Sequence, residues 1–427
     1  MRGVKIAGCL FIVLLIGAWW FFSQRAAPYQ CPQCNVILIS IDTLRADHLG
    51  SYGYPKPTSP NIDAFVPDAA FFSTAVAQAP STAPSHGSIF TSRIPSQHGA
   101  LVTKKQGISP KVPTLAEILK KAGLITGSFN GGGQLGKVFG FSRGFDEHKA
   151  YSGTDYGDET LAVRIEEAIS WLNRNKGRQF FLFLHTYEVH APYAPSAEFA
   201  SLFKDGYSGP LPQRIDQRLI NQINRGKVKI NAADRDYIVA LYDSEIRQMD
   251  QGFIRLISYL KAQGLYDNTM IVLTSDHGEE FGERGRVGVH SYTLFDELLL
   301  VPLIVKFPGG HFAGTKTETQ VRSIDIAPTI LDVLGRRIPG GFEGQTLVDA
   351  IEGRPFAEHA LSQKDSKARK ISTSVRTSRW KTHKARLFDL QKDPGETSDV
   401  KSQQPGMFES LQAIRLKVIN DYIKTLE

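Results

Sequence analysis

Thr82 lies between two prolines in the stretch Ala79-Pro-Ser-Thr-Ala-Pro-Ser-His86. Pro80 and Pro84 stiffen the backbone and disfavour helix before them. A helix is expected from Ser85 to Phe90, with its free N–H groups and positive dipole end beside Thr82. A hydroxyl there could become an anion and then carry an anionic group. The plainer reading is a Ser/Thr-rich turn with a helix cap. Asp42 follows the apolar run 35–41 directly, and a carboxylate at the end of a buried strand is costly unless it is paired or holds a metal. A helix cap with an ion pair, within 42–47, is the alternative. Asp276 and His277 follow a second apolar run, 270–275, and suit a single divalent cation. Successive strand residues point to opposite faces, so the chain must bend at this pair, and Gly278 permits the bend. His185 and His190 follow a third run, 180–184, and His290 comes thirteen positions after His277. His190 sits in a loop closed by Pro192, where a ligand or anion contact competes with simple packing.

Taken together, Asp42, the Thr82 hydroxyl, Asp276 and His277 are the expected metal ligands. Three oxygens and one nitrogen fit Zn²⁺ or Mn²⁺ better than Ca²⁺, which prefers an all-oxygen shell. Such an ion would lower the pKa of the Thr82 hydroxyl and shield an incoming anion. His190 and His290 would hold substrate oxygens, protonate the leaving group, or hold a second metal.

The elements that position these residues read as one alternating α/β pattern. Short β-branched runs at 35–41, 124–129, 180–184, 270–275 and 298–307 read as strands buried on both faces. Helices are expected over 114–123, 160–175, 234–263, 324–334 and 407–426. The fold class is α/β, with a large, mostly parallel central sheet flanked by helices. In such sheets ligands bind at the carboxyl ends of the strands. Residues 194–230 are loop-rich and polar, and read as an insertion lying over the site. After residue 343 the texture changes to shorter strands and more charge. The expected organisation is an N-terminal segment (1–30), a catalytic domain (31–343) and a small α+β subdomain (344–427).

Residues 6–22 are apolar throughout, preceded by Arg2 and Lys5 and closed by Trp19, Trp20, Phe21 and Phe22. The expectation is an uncleaved membrane anchor with the remaining chain exported; a cleaved signal peptide, giving a secreted protein, is the rival. Cys31 and Cys34 suit a local disulfide in an oxidising compartment, with two free thiols as the alternative. The net charge of +7 is compatible with an anionic substrate or a membrane surface. No GxxxxGK, C2H2 or RNP pattern is present, so nucleic acid is not an expected partner.

At these residues the chain resembles the sulfatase family of the alkaline phosphatase superfamily. The stretch Asn35-Val-Ile-Leu-Ile-Ser-Ile-Asp-Thr-Leu-Arg-Ala-Asp47 is similar to the family's first metal strand. Phe183-Leu-His-Thr-Tyr-Glu-Val-His-Ala-Pro-Tyr193 is similar to its histidine loop, and Thr274-Ser-Asp-His-Gly-Glu-Glu-Phe-Gly282 to its second metal strand. Ser323-Ile-Asp-Ile-Ala-Pro-Thr329 and Leu387-Phe-Asp-Leu-Gln-Lys-Asp-Pro-Gly-Glu396 are further landmarks, all in the family's order. Sulfatases carry Cys or Ser in a Cys/Ser-x-Pro-Ser-Arg motif, and that residue is oxidised to formylglycine. Here the aligned segment is Thr82-Ala-Pro-Ser-His86, so no formylglycine is expected: oxidised threonine would be a ketone. Thr82 takes the nucleophile position, Ser81 is the off-register rival, and His86 replaces the arginine. The family's second acidic ligand beside Asp42 is Thr43 here, and Asn130 is a substitute contact. His86, Asn130 and His185 are thus expected against substrate.

The resemblance implies a metal-dependent ester hydrolase acting on a small anionic ester or an envelope glycan or lipid. With Thr82 as nucleophile, phosphate or phosphonate esters are expected ahead of sulfate esters. The alternatives left open are a sulfatase despite Thr82, a phospho-group transferase acting on lipid or glycan, and an inactive binding relic.

Overall fold

Every side chain of the strand Asn35–Ile41 is buried, as its unbroken apolar run requires. Its alternation serves two cores. Ile37, Ile39 and Ile41 face one helical layer, while Val36 and Leu38 face the other. The computed structural model describes residues 29–101, 106–151, 160–204, 206–365 and 371–424.

Eight strands form the main sheet among the described residues. They are β1 (Asn35–Ile41), β2 (Ala70–Phe72), β3 (Ile125–Asn130), β4 (Glu147–Ala150), β5 (Phe180–Thr186), β6 (Thr269–Ser275), β7 (Leu303–Lys306) and β8 (Lys316–Thr317), in spatial order β8-β2-β7-β6-β1-β5-β3-β4. β1 runs parallel to both neighbours, pairing Ile41 with Thr186 of β5 and with Ser275 of β6. This register sets Asp42, the 187–193 loop and Asp276 at one sheet edge. β7 is antiparallel to β6 and β2, so the sheet is mixed but mostly parallel.

The helices that matter for the site are α1 (Thr82–Thr91), α2 (Leu161–Asn175), α3 (Gln217–Asn224) and α4 (Ala232–Ala262). Buried residues of α2 and α4, such as Leu172, Leu241 and Phe253, join the core under Ile37 and Ile39. Those of α1, such as Ile89 and Phe90, join the core under Val36 and Leu38, with Ile326–Val333. The strand expected over 298–307 is interrupted: a short helix, Asp296–Leu299, precedes two strands split at Pro302, which lacks the N–H a continuous ladder needs. The 194–230 insertion, expected without regular structure, holds α3. Asp216 caps it by accepting from the Leu219 amide, and Ile220 and Ile223 bury one face.

The C-terminal part forms a four-stranded antiparallel sheet (Ala360–Asp365, Ile371–Arg376, Trp380–His383, Arg386–Asp389) and the helix Pro405–Lys424. It is fastened to the larger part by buried charge. Asp296 pairs with Arg376 at 3.0 Å and Lys381 at 2.6 Å, and Lys381 reaches Glu396 at 2.9 Å. Its first strand also braces the chain leading to Thr82: Ser362 Oγ donates to the Ala77 carbonyl, and the Gln363 amide to that of Gln78. Cys31 and Cys34 are joined as a disulfide. Among the described residues no helix is long and apolar enough to cross a membrane. This corrects the expectation of a membrane anchor, whose carrier, residues 6–22, lies outside the described residues.

Candidate active site

Three strand ends and one helix start meet at a single point. Asp42 leaves β1, and the next residue, Thr43, turns the chain with φ = 56°, a conformation a β-branched residue rarely adopts. Three hydrogen bonds hold it there. Thr43 Oγ1 donates to the Val189 carbonyl, its amide donates to Asp276 Oδ1, and its carbonyl accepts from the Tyr242 hydroxyl. The Thr43 side chain is therefore committed to the 187–193 loop, where the resemblance would have a second acidic ligand.

Asp276 and His277 leave β6 with no left-handed residue between them. Gly278 serves by its size: a Cβ would stand 2.1 Å from the Glu297 carbonyl oxygen, and its amide donates to the Leu298 carbonyl. The expected bend is thus a close backbone approach. His277 Nδ1 donates to the Gly278 carbonyl at 2.9 Å, which leaves Nε2 as a bare lone pair. That atom lies 3.4 Å from Asp276 Oδ2 and 3.9 Å from Asp42 Oδ1. All three atoms are buried and lack a hydrogen-bond partner. Leaving three such atoms unpaired is costly, and a shared cation satisfies all of them at once. The residues present therefore fit a divalent metal, with two carboxylates and one imidazole converging. Burial, then the neighbouring Asp42 charge, raises Asp276 well above the usual carboxylate range. Burial likewise raises Asp42, against the opposing pull of His190, His290 and Thr82.

Thr82 is the first residue of α1, three positions earlier than the expected helix start. Pro84 falls in the first turn, where its missing N–H costs nothing. The Thr82 hydroxyl donates to Asp42 Oδ2 at 3.1 Å, on the oxygen opposite the unpartnered one. Two neighbours pin the helix to the strand ends. Ser85 Oγ donates to the Asp276 carbonyl at 2.6 Å, and the Ala83 amide donates to Gln134 Oε1.

His190 and His290 stand across the opening, their rings 5.1 Å apart, with His290 4.6 Å from the His277 ring. His290 Nδ1 donates to Glu279 Oε1 at 3.1 Å, and Glu279 Oε2 accepts from the Tyr193 hydroxyl. Burial alone would lower the His290 pKa; the Glu279 carboxylate, aided by Asp42 and Asp276, outweighs it and raises it to about 9. His190 Nδ1 donates to the Ala191 carbonyl, so its Nε2 is the nitrogen left over. Ser291 donates from its amide to the Pro80 carbonyl at 2.8 Å and so ties the His290 loop to the Thr82 loop.

Three residues expected against substrate are fully buried, with their polar atoms bonded to neighbouring groups of the chain. His185 accepts from the Gly131 amide at Nδ1 and donates from Nε2 to Asp42 Oδ2 at 3.3 Å. Burial lowers its pKa to about 3, so it stays neutral and orients the carboxylate. His86 Nδ1 donates to the Thr82 carbonyl at 2.9 Å, and Nε2 accepts from Ser40 Oγ. Asn130 spends its amide on Ser128 Oγ and on the Gly132 amide. Glu279, Tyr193 and Ser40 were not singled out from the sequence. Only Glu279 gave a signal there, as the acid two residues past His277.

A sulfatase family profile matches residues 34–336, and a profile described as N-sulphoglucosamine sulphohydrolase, C-terminal, matches 288–421. A multifunctional alkaline phosphatase superfamily protein of Trinickia caryophylli is 31% identical over 226 residues, covering 47% of this chain and 43% of its own length. The chain thus spans less than half of that relative. An arylsulfatase of Clostridium perfringens is 26% identical over 441 residues, covering 86% of this chain and 90% of its own. The solved phosphonate monoester hydrolase of Agrobacterium radiobacter superposes with a TM-score of 0.75 at 21% identity, over 90% of this chain and 96% of that one, which establishes the shared fold. With one family profile covering most of its length, the chain belongs to the sulfatase family, in the alkaline phosphatase superfamily of ester-bond hydrolases.

Proposed function

We propose that this chain is a metal-dependent hydrolase that uses Thr82 as its nucleophile and favours phosphate or phosphonate esters. One observation carries the reading. Three unpartnered buried atoms, Asp42 Oδ1, Asp276 Oδ2 and His277 Nε2, converge beside a threonine hydroxyl that begins a helix. Those residues would hold the ion, and Zn²⁺ or Mn²⁺ suits their mixed oxygen and nitrogen set. When bound, the metal supplies Lewis acidity and makes the Thr82 hydroxyl easier to ionise.

The rest is done by the chain. Asp42 Oδ2, already on the hydroxyl, receives its proton as Oγ1 attacks phosphorus in line. The Oγ1–P bond forms, the P–O bond to the leaving alcohol breaks, and His290 Nε2 gives that alcohol a proton. The charge on Glu279 keeps His290 protonated for this step. The positive end of the α1 dipole, which begins at Thr82, favours the growing negative charge on the phosphoryl oxygens. In the second half water attacks phosphorus and gives its proton to His290, the Oγ1–P bond breaks, and Asp42 Oδ2 returns its proton to the Thr82 oxygen. The preference for phosphorus over sulfur rests on threonine chemistry. A formylglycine hydrate can expel sulfate from its own carbon, and threonine cannot form that hydrate. A threonine phosphoester can instead be opened by attack at phosphorus.

The test is an ester panel on the purified chain, with added Zn²⁺ or Mn²⁺ and after chelation. Turnover of aryl phosphates or phosphonates, lost with the metal and with Thr82→Ala, is the expected result. Turnover of aryl sulfates alone would replace this reading by the sulfatase one.

A further inference from the structure

From the insertion over the site we infer a second binding surface: a cationic ledge that holds an anionic polysaccharide leading into the catalytic mouth. It rests on the reading above only for where the polymer goes, since binding to the ledge can be measured without turnover.

The ledge begins at a cavity of about 400 Å³ on α3, lined by Gln217, Arg218, Asn221, Gln222, Arg225 and Lys227. No carboxylate lines it. Among the described residues, no acid pairs with Arg218, Arg225 or Lys227, nor with Lys229 just beyond, and all four side chains are exposed. Four unneutralised cations on one short segment raise the local potential and draw anions to it.

The buried face of α3 fixes where this charge lies. Asn224 Nδ2 donates to the Val287 carbonyl, and the Val287 amide donates to Asn224 Oδ1. That two-way bridge docks the helix on the strand Val287–Val289, which runs directly into His290. Arg225 and Arg286 are thus neighbours of bridged residues. Arg286 is also exposed and has no carboxylate partner among the described residues; its guanidinium sits 4.5 Å from the Tyr292 ring. Tyr292 is 55% exposed, unusual for so large a ring, and follows Ser291, whose amide is bound to the Pro80 carbonyl beside Thr82. The track therefore runs from the α3 cavity through Arg286 and Tyr292 to His290.

The side chains choose the polymer. Three amides interleaved with guanidinium groups suit hydroxyls and acidic substituents in alternation. Tyr292 offers one flat face for a sugar ring. A nucleic-acid track would interleave several aromatic rings for base stacking, and the cavity lining has none.

The probe is sulfated dextran, with Arg218→Gln, Arg225→Gln and Lys227→Gln combined in one variant. None of the three is in the catalytic machinery. Exposed pairs are individually weak, so the three together are expected to lower affinity about tenfold at low salt and to flatten its salt dependence. The kcat/KM of a small aryl phosphate should stay unchanged, and sulfated dextran should inhibit that turnover competitively in the unmodified chain but much less in the variant. Equal affinity and equal salt dependence in both proteins would overturn the ledge. So would tighter binding of single-stranded DNA than of sulfated dextran, or inhibition that is non-competitive. If the unmodified chain binds sulfated dextran through these residues but turns over no ester, the ledge stands and the catalytic reading falls.

Discussion

Replacing Glu279 by glutamine removes one charge and little else. The side chain is fully buried, one oxygen accepting from His290 Nδ1 and the other from the Tyr193 hydroxyl; glutamine can keep the first with its carbonyl and reverse the second by donating its amide to the Tyr193 oxygen. What it cannot keep is the field that holds the His290 pKa at about 9. A bound dication offsets Asp42 and Asp276, so Glu279 is the charge that remains to stabilise the imidazolium. Without it His290 falls to about 6.5, its ordinary value, or below. A fall from about 9 to about 6.5 would lower the protonated fraction at pH 8 about thirtyfold; because a bound dication would also offset the Asp42 and Asp276 share of the raised value, about thirtyfold is the upper limit of the slowing. The sign is fixed: the raised pKa keeps the donor charged up to about pH 9. The variant loses it as pH rises through the lower value. The assay is a kcat/KM profile against pH with two aryl phosphates, one with a poor leaving group and one with a good one. The alkaline limb should move to lower pH for the poor leaving group and barely move for the good one, which needs no proton. An unmoved limb, or equal losses on both substrates, would refute the assignment of His290 as donor.

His86→Asn keeps a donor toward the Thr82 carbonyl, whereas His86→Leu does not. The asparagine variant should retain most of kcat and the leucine variant lose roughly a hundredfold, the cost of a nucleophile misplaced by about 1 Å, with KM nearly unchanged in steady-state kinetics. Lys381→Met leaves Asp296 and Glu396 as buried carboxylates short of a cation; urea unfolding should show a loss of about 3 to 5 kcal/mol, and a loss below about 1 kcal/mol would mean the cluster does not fasten the C-terminal sheet.

The residues proposed as ligands were legible because they follow directly on buried strands. A carboxylate placed directly after seven buried residues has few affordable environments, and the period of two fixes which strand residues face which core. Asp42, Asp276 and His277 could be named on that ground, and the register of β1 with its neighbours brings them together. Thr82 was legible from its prolines, although its helix begins at Thr82 itself because a proline in the first turn is harmless. The roles of His86 and His185 were not legible. A histidine beside a site looks the same in sequence whether it faces substrate or a carbonyl behind the site. Their partners, Ser40, Gly131 and the Thr82 carbonyl, are set by tertiary packing. Helix α3 was passed over because eight residues among polar neighbours give a weak period. Asp216 as a cap, with Leu219, Ile220 and Ile223 on one face, was the signal available.

The central claim is that the Thr82 oxygen becomes covalently bonded to phosphorus, and the direct measurement is a trapped adduct. An aryl phosphate with a good leaving group needs no proton for the first step, while the second step needs His290 as base. In His290→Ala the adduct should therefore accumulate. Acid quenching during turnover, followed by digestion and fragmentation mass spectrometry, should place the phosphoryl group on the Thr82 side chain. A phosphoryl group on Ser81, or released aryl alcohol with Thr82 unmodified throughout, would contradict the account.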